Sequence, residues 1–171
     1  MRYTALTSVV STILLTVPAL ADGAPAGALN KTITVSFTAT GQAKSPEGEI
    51  RNFNTQISRI IYVSSAGRPF LRFRATNRGG SRGGEVGPGE QKGSVSFQGD
   101  RLVDVVPFAT GARQITITFD PGFSSCTASV IEGHSGGVIR RRGPNDTMFE
   151  ITNATTSSMS CSIQSGNAFA G

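Results

Sequence analysis

The chain has few of the residue types on which metal sites, active sites and membrane spans depend. Its 171 residues include no Trp, one His and two Cys. No apolar run approaches the ~20 residues that a membrane-spanning helix needs. One histidine and two cysteines are too few for a closed four-ligand zinc site. We therefore predict no metal, no cofactor and no transmembrane segment.

The N-terminus has the features of a signal peptide. Arg2 is followed by a short apolar stretch at residues 9–17 and then by the small residues Ala19 and Ala21 around Leu20. This order is typical of a secretory signal and its cleavage site. We predict that residues 1–21 are removed and that the protein is exported to the periplasm or the extracellular space.

The remainder of the chain favours β-structure. It is rich in Gly, Ser and Thr, and no segment has a helical period of 3.6 residues. Apolar residues alternate with polar ones, as in Ile33, Val35 and Phe37, which indicates strands with one buried face. We predict an all-β fold, an antiparallel meander of about nine or ten strands forming a barrel or barrel-like sandwich.

Boundaries and loops follow from the same patterns. We predict a flexible N-terminus at residues 22–29, a single β domain at 30–164 and a flexible tail at 165–171. Residues 41–54 have the composition of a long loop, and the glycine-rich residues 77–89 that of a mobile loop.

The two cysteines, Cys126 and Cys161, lie on the apolar faces of their predicted strands. In an exported chain an even pair favours a disulfide, and two free thiols are the alternative. Closing a loop of this length would stabilise the fold by roughly 3–4 kcal/mol in the chain-entropy model.

One short motif resembles a catalytic loop. Residues 133–137, Gly-His-Ser-Gly-Gly, are similar to the Gly-Asp-Ser-Gly-Gly nucleophile loop of chymotrypsin-type serine proteases. Such a nucleophile needs a separate histidine base oriented by a carboxylate, whereas His134 is the only histidine and adjoins Ser135. We interpret this motif as a glycine-rich turn and predict no catalytic residue.

Arginines form the most distinctive surface pattern, because 13 of the 16 basic residues are Arg and the net charge is +5. Two groups are candidates for one anion-binding patch, since Arg pairs well with phosphate, sulfate and carboxylate groups. A solvated strand face is the alternative interpretation. The candidates are Arg68, Arg72, Arg74, Arg140, Arg141 and Arg142.

Two further features have alternative interpretations. The repeats at Arg78 and Arg82, each followed by two glycines, resemble RGG segments that bind single-stranded nucleic acid. Export removes that partner, so we interpret them as part of a mobile loop and expect no nucleic-acid binding. Asp104 lies among apolar strand residues, which predicts a buried carboxylate paired with an arginine such as Arg59 or Arg101.

Residues 61–70, Ile-Tyr-Val-Ser-Ser-Ala-Gly-Arg-Pro-Phe, resemble a hairpin in small uncharacterised exported proteins of Gram-negative bacteria. This resemblance implies a periplasmic or secreted location and no particular activity. Small meander barrels are also similar in architecture to lipocalin-like and avidin-like binders.

These observations favour an exported, non-enzymatic binding or envelope-associated domain. Its ligand would be a small apolar molecule in the interior, or an anionic polysaccharide or lipid head group on the arginine face. The alternatives are a small hydrolase of envelope polymer that uses Asp104 or Ser135, and a subunit of an exported assembly. The oligomeric state does not follow from the sequence.

Overall fold

The computed structural model describes residues 23–77, 80–86, 94–133, 139–142 and 148–169. Within these ranges the chain forms antiparallel strands and one turn of 3-10 helix, so the all-β prediction is confirmed. None of the described residues belongs to a helix long and apolar enough to cross a membrane. The strands are β1 (Lys31–Lys44), β2 (Ile50–Val63), β3 (Pro69–Asn77), β4 (Gly80–Val86), β5 (Ser94–Gln98), β6 (Arg101–Pro107), β7 (Ala112–Phe119), β8 (Cys126–Gly133), β9 (Ile139–Arg142) and β10 (Met148–Ser165).

The strands form two separate antiparallel sheets. One has six strands in the order β4-β3-β2-β1-β10-β9, and the other has four in the order β5-β6-β7-β8. Most chain neighbours pair, as a meander requires, and β10 returns to pair with β1 along its length. The expectation of a closed barrel is wrong. Apart from one isolated bridge between Thr110 and Arg140, no described pairing joins the two sheets.

A single apolar core lies between the sheets, which therefore pack face to face as a sandwich. Alternate residues of β1 point into it, including Ile33, Val35 and Phe37, and alternate residues of β7 do so from the opposite sheet. The Phe97 and Phe119 rings stack within this core with centroids 6.4 Å apart. Burying such side chains contributes about 1.5–3 kcal/mol each relative to leaving them exposed.

Three contacts fix which strand lies over which. Arg59 of β2 pairs with Asp104 of β6, and the Arg113 guanidinium of β7 lies 5.2 Å from the centroid of the Phe37 ring in β1. The predicted disulfide between β8 and β10 is present, with Cα atoms 5.6 Å apart. These contacts place β6 over β2, β7 over β1 and β8 over β10, and β9 also bonds to the β6–β7 turn through Arg140 and Thr110.

The predicted loop at residues 41–54 is wrong, because β1 and β2 continue through most of it. The connection is a tight turn in which the Ser45 amide donates to the Glu49 carbonyl, and Gly48 adopts a positive φ of 89°. Gly41 lies in β1 opposite Phe53, whose ring would be 2.8 Å from a Cβ at that position. The glycine that suggested a loop instead makes room for the ring in the sheet.

The predicted mobile loop at residues 77–89 is also wrong for residues 80–86, which form β4. Arg82 stands opposite Ala75 of β3 in a regular antiparallel register. Backbone ladder hydrogen bonds do not require side chains, so pairing with β3 outweighs the low strand propensity of glycine. Arg78 lies outside the described residues.

Both predicted flexible ends make defined contacts where they are described. Ala28, in the 3-10 helix Ala26–Ala28, is buried, and the Cβ of any residue replacing Gly27 would be 2.5 Å from the Phe123 ring.

At the C-terminal end the Thr32 hydroxyl donates to the Gly166 carbonyl and accepts from the Ala168 amide. The tail thus lies against the start of β1.

The turn before Cys126 is organised by one carboxylate. Asp120 accepts hydrogen bonds from the amides of Ser125, Ser124 and Gly122 and from the Ser124 hydroxyl. These bonds, chiefly that from Ser125, lower the pKa of Asp120 from an ordinary 3.8 to about 2. The ionised carboxylate therefore holds the turn that leads into β8.

We expect part of the acid sensitivity of the fold to come from Asp120. Because its folded-state pKa is depressed, its stabilising contribution is present above about pH 4 and is lost as the pH falls towards 2. Denaturant unfolding at several pH values should show wild type more stable than Asp120→Asn at pH 5, with the difference shrinking near pH 2. A difference that stays constant with pH would contradict this role.

We expect loss of the disulfide to destabilise the sandwich strongly. The closed loop spans 35 positions, and in the chain-entropy model its opening costs about 4 kcal/mol. The double variant Cys126→Ala, Cys161→Ala should unfold at lower denaturant concentration than the oxidised wild type. Reduced wild type should lose a similar amount of unfolding free energy relative to oxidised wild type. Equal midpoints for all three proteins would rule out a stabilising bridge.

Candidate functional site

The interior of the sandwich contains a charged pair that links the two sheets. The Arg59 Nε donates to Asp104 Oδ2 at 2.8 Å, and its Nη2 donates to Oδ1 at 3.0 Å. Asp104 is only 1% exposed. The sequence prediction of a buried Asp104 paired with Arg59 is therefore confirmed, and Arg101 is instead exposed.

A second buried pair lies beside the first. Arg113 of β7 donates from Nε to Oε1 of Glu132 in β8 at 2.6 Å, and both side chains are more than 90% buried. The Arg113 guanidinium also lies between the Phe37 and Phe108 rings. Together Arg59, Asp104, Arg113 and Glu132 form a four-charge interior network of zero net charge.

This network aligns the sheets and leaves little scope for chemistry on a polymer. Burial raises the pKa of Asp104, while the neighbouring Arg59 opposes this shift. Both Asp104 oxygens are bonded to Arg59 and hidden from solvent, so a polymeric substrate cannot reach them in this arrangement. Ser135, the other residue considered for a hydrolase, lies outside the described residues, as does His134.

Sequence reasoning missed the Arg113–Glu132 pair although the strand pattern contained a signal. Arg113 has the same parity as the buried Ile115 and Ile117, so it must point inwards. Glu132 has the parity of Val130 in β8 and stands opposite Arg113. Two opposite charges on inward positions of adjacent strands are the pattern that would have identified the pair.

The outer face of the six-stranded sheet is polar and has a regular layout. Leu71 and Ala75 of β3 point inwards, so Arg72 and Arg74 point outwards. A row of outward positions runs across four strands from Arg74. Its other members are Ser58, Ser36 and Ser160.

Hydroxyl groups dominate this face next to the arginines. Ser36 and Ser58 share a hydrogen bond of 2.7 Å, and Thr40 and Thr155 share one of 2.8 Å. The three neighbouring strands that contribute these groups, β2, β1 and β10, span roughly 10 Å at the usual spacing. We call this area the hydroxyl face. Its members are Thr34, Ser36, Thr38, Thr40, Ser58, Thr155, Ser157, Ser160 and Ser162.

The two arginines of β3 differ in their surroundings. Arg72 stands opposite Glu85 of β4, and its guanidinium lies 4.6 Å from the centroid of the Phe169 ring. Arg74 stands between Ser58 and Gly83, is exposed, and has no ion pair with a described acidic side chain. Of these two arginines, Arg74 is therefore the better placed to meet an external anion.

Half-buried aromatic rings lie at one end of the same face. Tyr62 of β2 is 6.1 Å from the Phe70 ring and 6.3 Å from the Phe169 ring, measured between centroids. The tail residue Phe169 thus completes a three-ring cluster beside Arg72. Such rings offer apolar surface, and Tyr62 adds a polar tip.

The two predicted arginine groups do not form one patch. β3 and β9 lie in the same sheet but are separated by β2, β1 and β10, a distance of roughly 19 Å. Arg140 is exposed and pairs with Glu150 at 3.4 Å, while Arg141 and Arg142 stand opposite Phe149 and Met148. Arg68 is exposed at the turn before β3.

No group of three or more His, Cys, Asp or Glu side chains suited to a metal ion occurs in the described part of the chain. The comparisons with known proteins gave no match to a family model, a curated protein or a solved structure.

We expect Asp104→Asn to destabilise the protein by about 3–5 kcal/mol, because it leaves the Arg59 charge buried without its partner. The double variant Arg59→Met, Asp104→Leu should regain most of this stability, since an apolar pair of similar volume removes both charges. Chemical denaturation of the three proteins measures the effect. As a matched control, Glu49→Gln breaks the exposed pair with Arg51 and should change stability little.

Proposed function

We propose that this protein is an exported, non-enzymatic binding domain that binds an anionic polysaccharide on the outer face of its six-stranded sheet. The observation that carries the proposal is the position of Arg74, exposed at the border of the hydroxyl face and flanked across the strands by Ser58 and Gly83. Arg pairs with carboxylate, sulfate and phosphate groups through paired hydrogen bonds.

The occupied interior supports a surface site over an internal one. The space between the sheets is taken up by apolar side chains such as Phe37 and Phe119 and by the four-charge network. A small apolar ligand would have to displace these groups. The outer face needs no rearrangement, because Arg74 and most of the surrounding hydroxyl-bearing side chains are partly or fully exposed.

The chemistry of the outer face matches a charged sugar polymer. Hydroxyl side chains donate and accept hydrogen bonds, as sugar hydroxyls do. The cluster of Tyr62, Phe70 and Phe169 offers apolar surface beside Arg72. The net charge is +5 for the full sequence and stays positive when Arg2 is lost with the predicted signal peptide, so the domain attracts polyanions as a whole.

Export supports the same proposal. The predicted signal peptide at residues 1–21 would deliver the domain to the periplasm or beyond, where envelope polysaccharides occur. A disulfide between Cys126 and Cys161 is compatible with an oxidising compartment of this kind.

We expect the purified protein to bind heparin and polygalacturonate but not neutral dextran, with affinity falling as salt is added. Arg74→Ser should weaken binding about tenfold, or ~1.4 kcal/mol, because one charge-assisted contact is lost. Isothermal titration calorimetry measures both quantities. Arg101→Ser is the matched control, since Arg101 is exposed on the other sheet and should leave the affinity unchanged.

Two results would contradict the proposal. Equal losses for Arg74→Ser and Arg101→Ser would mean that net charge alone attracts the polymer. Binding to phosphatidylglycerol vesicles without binding to any polysaccharide would instead identify lipid head groups as the ligand.

A further inference from the structure

The six-stranded sheet has an open edge along one half of β10. One side of β10 pairs with β1 from Glu150 to Ser165 with two register shifts, whereas β9 covers the other side only at residues 148–151. No described residue pairs with that side at residues 159–165. The stretch is bounded by Ser158, at a positive φ of 53° in a bulge, and by Gly166, at a φ of 89°.

The backbone groups of this stretch alternate between the two sides. The Gly166 amide donates to the Asn30 carbonyl, so the amide of Gly166 points towards β1. In an antiparallel ladder adjacent residues point in opposite directions. The N–H and C=O groups of Cys161, Ile163 and Ser165 therefore point away from β1 to the open side.

Among the described residues, the stretch 159–165 lacks the charges, prolines and covering elements that usually protect an edge strand from pairing with another chain. Natural edge strands are interrupted by charges, prolines or bulges, or are covered by other elements. Residues 159–165, Met-Ser-Cys-Ser-Ile-Gln-Ser, contain no charge and no proline, and their register with β1 is regular from Ser160 to Ser165.

The edge strand of the second sheet, β8, lies beside the open edge of β10. The outward-facing side chains of β8 are also uncharged. β8 pairs with β7 on one side only among the described strands, and its disulfide to β10 places the two edges together. The charged residue of β8, Glu132, points inwards to Arg113, whereas Ile131 is 61% exposed. The two edges form one side wall of the sandwich.

We propose that this wall binds a second copy of the chain by antiparallel pairing of β10 with its symmetry mate. A protein with a positive net charge repels its own copies, so they approach most easily through an uncharged surface. An antiparallel pair of identical segments is also self-complementary about a two-fold axis. With that axis at Ser162, Cys161 exchanges backbone hydrogen bonds with Ile163 of the second copy.

Neither β9 nor the tail obstructs this arrangement. β9 covers residues 148–151, which lie outside the proposed paired stretch of residues 159–165. After Gly166 the tail turns towards Thr32 and Phe169 reaches Arg72 and Tyr62, away from the open edge. Pairing would join two six-stranded sheets and bring two outer faces side by side, but it does not depend on polysaccharide binding.

Sedimentation equilibrium of the purified protein, without any polysaccharide, tests the proposal. We expect a monomer–dimer equilibrium in wild type and at least a tenfold weaker dimer in Ser160→Lys, Ser162→Lys, because like charges then face each other at the axis. The matched control Thr116→Lys, Thr118→Lys adds the same charge to β7 of the other sheet and should dimerise about as tightly as wild type.

Hydrogen exchange at high and low protein concentration gives an independent readout. In wild type, the amides of Cys161, Ile163 and Ser165 should be protected from exchange only at high protein concentration. In the Ser160→Lys, Ser162→Lys variant, the same amides should exchange rapidly at both concentrations. A monomer at every concentration, equal dimerisation of both lysine variants, or an open series of larger species would each overturn the two-fold β10 interface. Circular dichroism confirms that both variants are folded.

Discussion

The ion pair between Arg59 and Asp104 is the constraint on which the rest of the sandwich depends. Hydrophobic attraction between two apolar sheet faces is not directional, so it does not by itself select one alignment of the strands. A buried charge pair allows no such freedom, because each partner loses its counter-charge if the sheets move. The pair therefore places β6 over β2, and the disulfide places β8 over β10. The outer face and the open edge of the large sheet follow from this alignment.

Much of the fold was predictable because its determinants are local. The alternation in β1 predicted a half-buried strand, and the position of Asp104 among apolar residues predicted its buried partner. The disulfide followed from the cysteine count. The choice between a barrel and a sandwich did not follow, because a strand has the same alternation in either architecture. Glycine misled in both wrong loop predictions, since Gly41 accommodates Phe53 and the glycines of β4 pair with β3.

The candidate site was less predictable because it depends on strand order. Arg72 and Arg74 are two positions apart in β3, so the alternation of a strand places them on the same face, and both point outwards. Their separation from Arg140 arises because β10 returns to pair with β1, inserting three strands between the groups. No local pattern encodes that return. The contact between Arg72 and Phe169 joins residues 97 positions apart, so the tail could not be assigned to this face from the sequence.

The distribution of charge departs from the usual one at two places, the interior and the edge of β10. Asp, Glu and Arg are seldom buried, and edge strands commonly carry charges that prevent association. Here Asp104, Arg113 and Glu132 are inside, whereas residues 159–165 at the open edge are uncharged. Interior charges cost desolvation energy that apolar residues would avoid, and an uncharged edge exposes the molecule to pairing. Both features are explained if the sheets must keep one alignment while the edge of β10 remains available to a second copy.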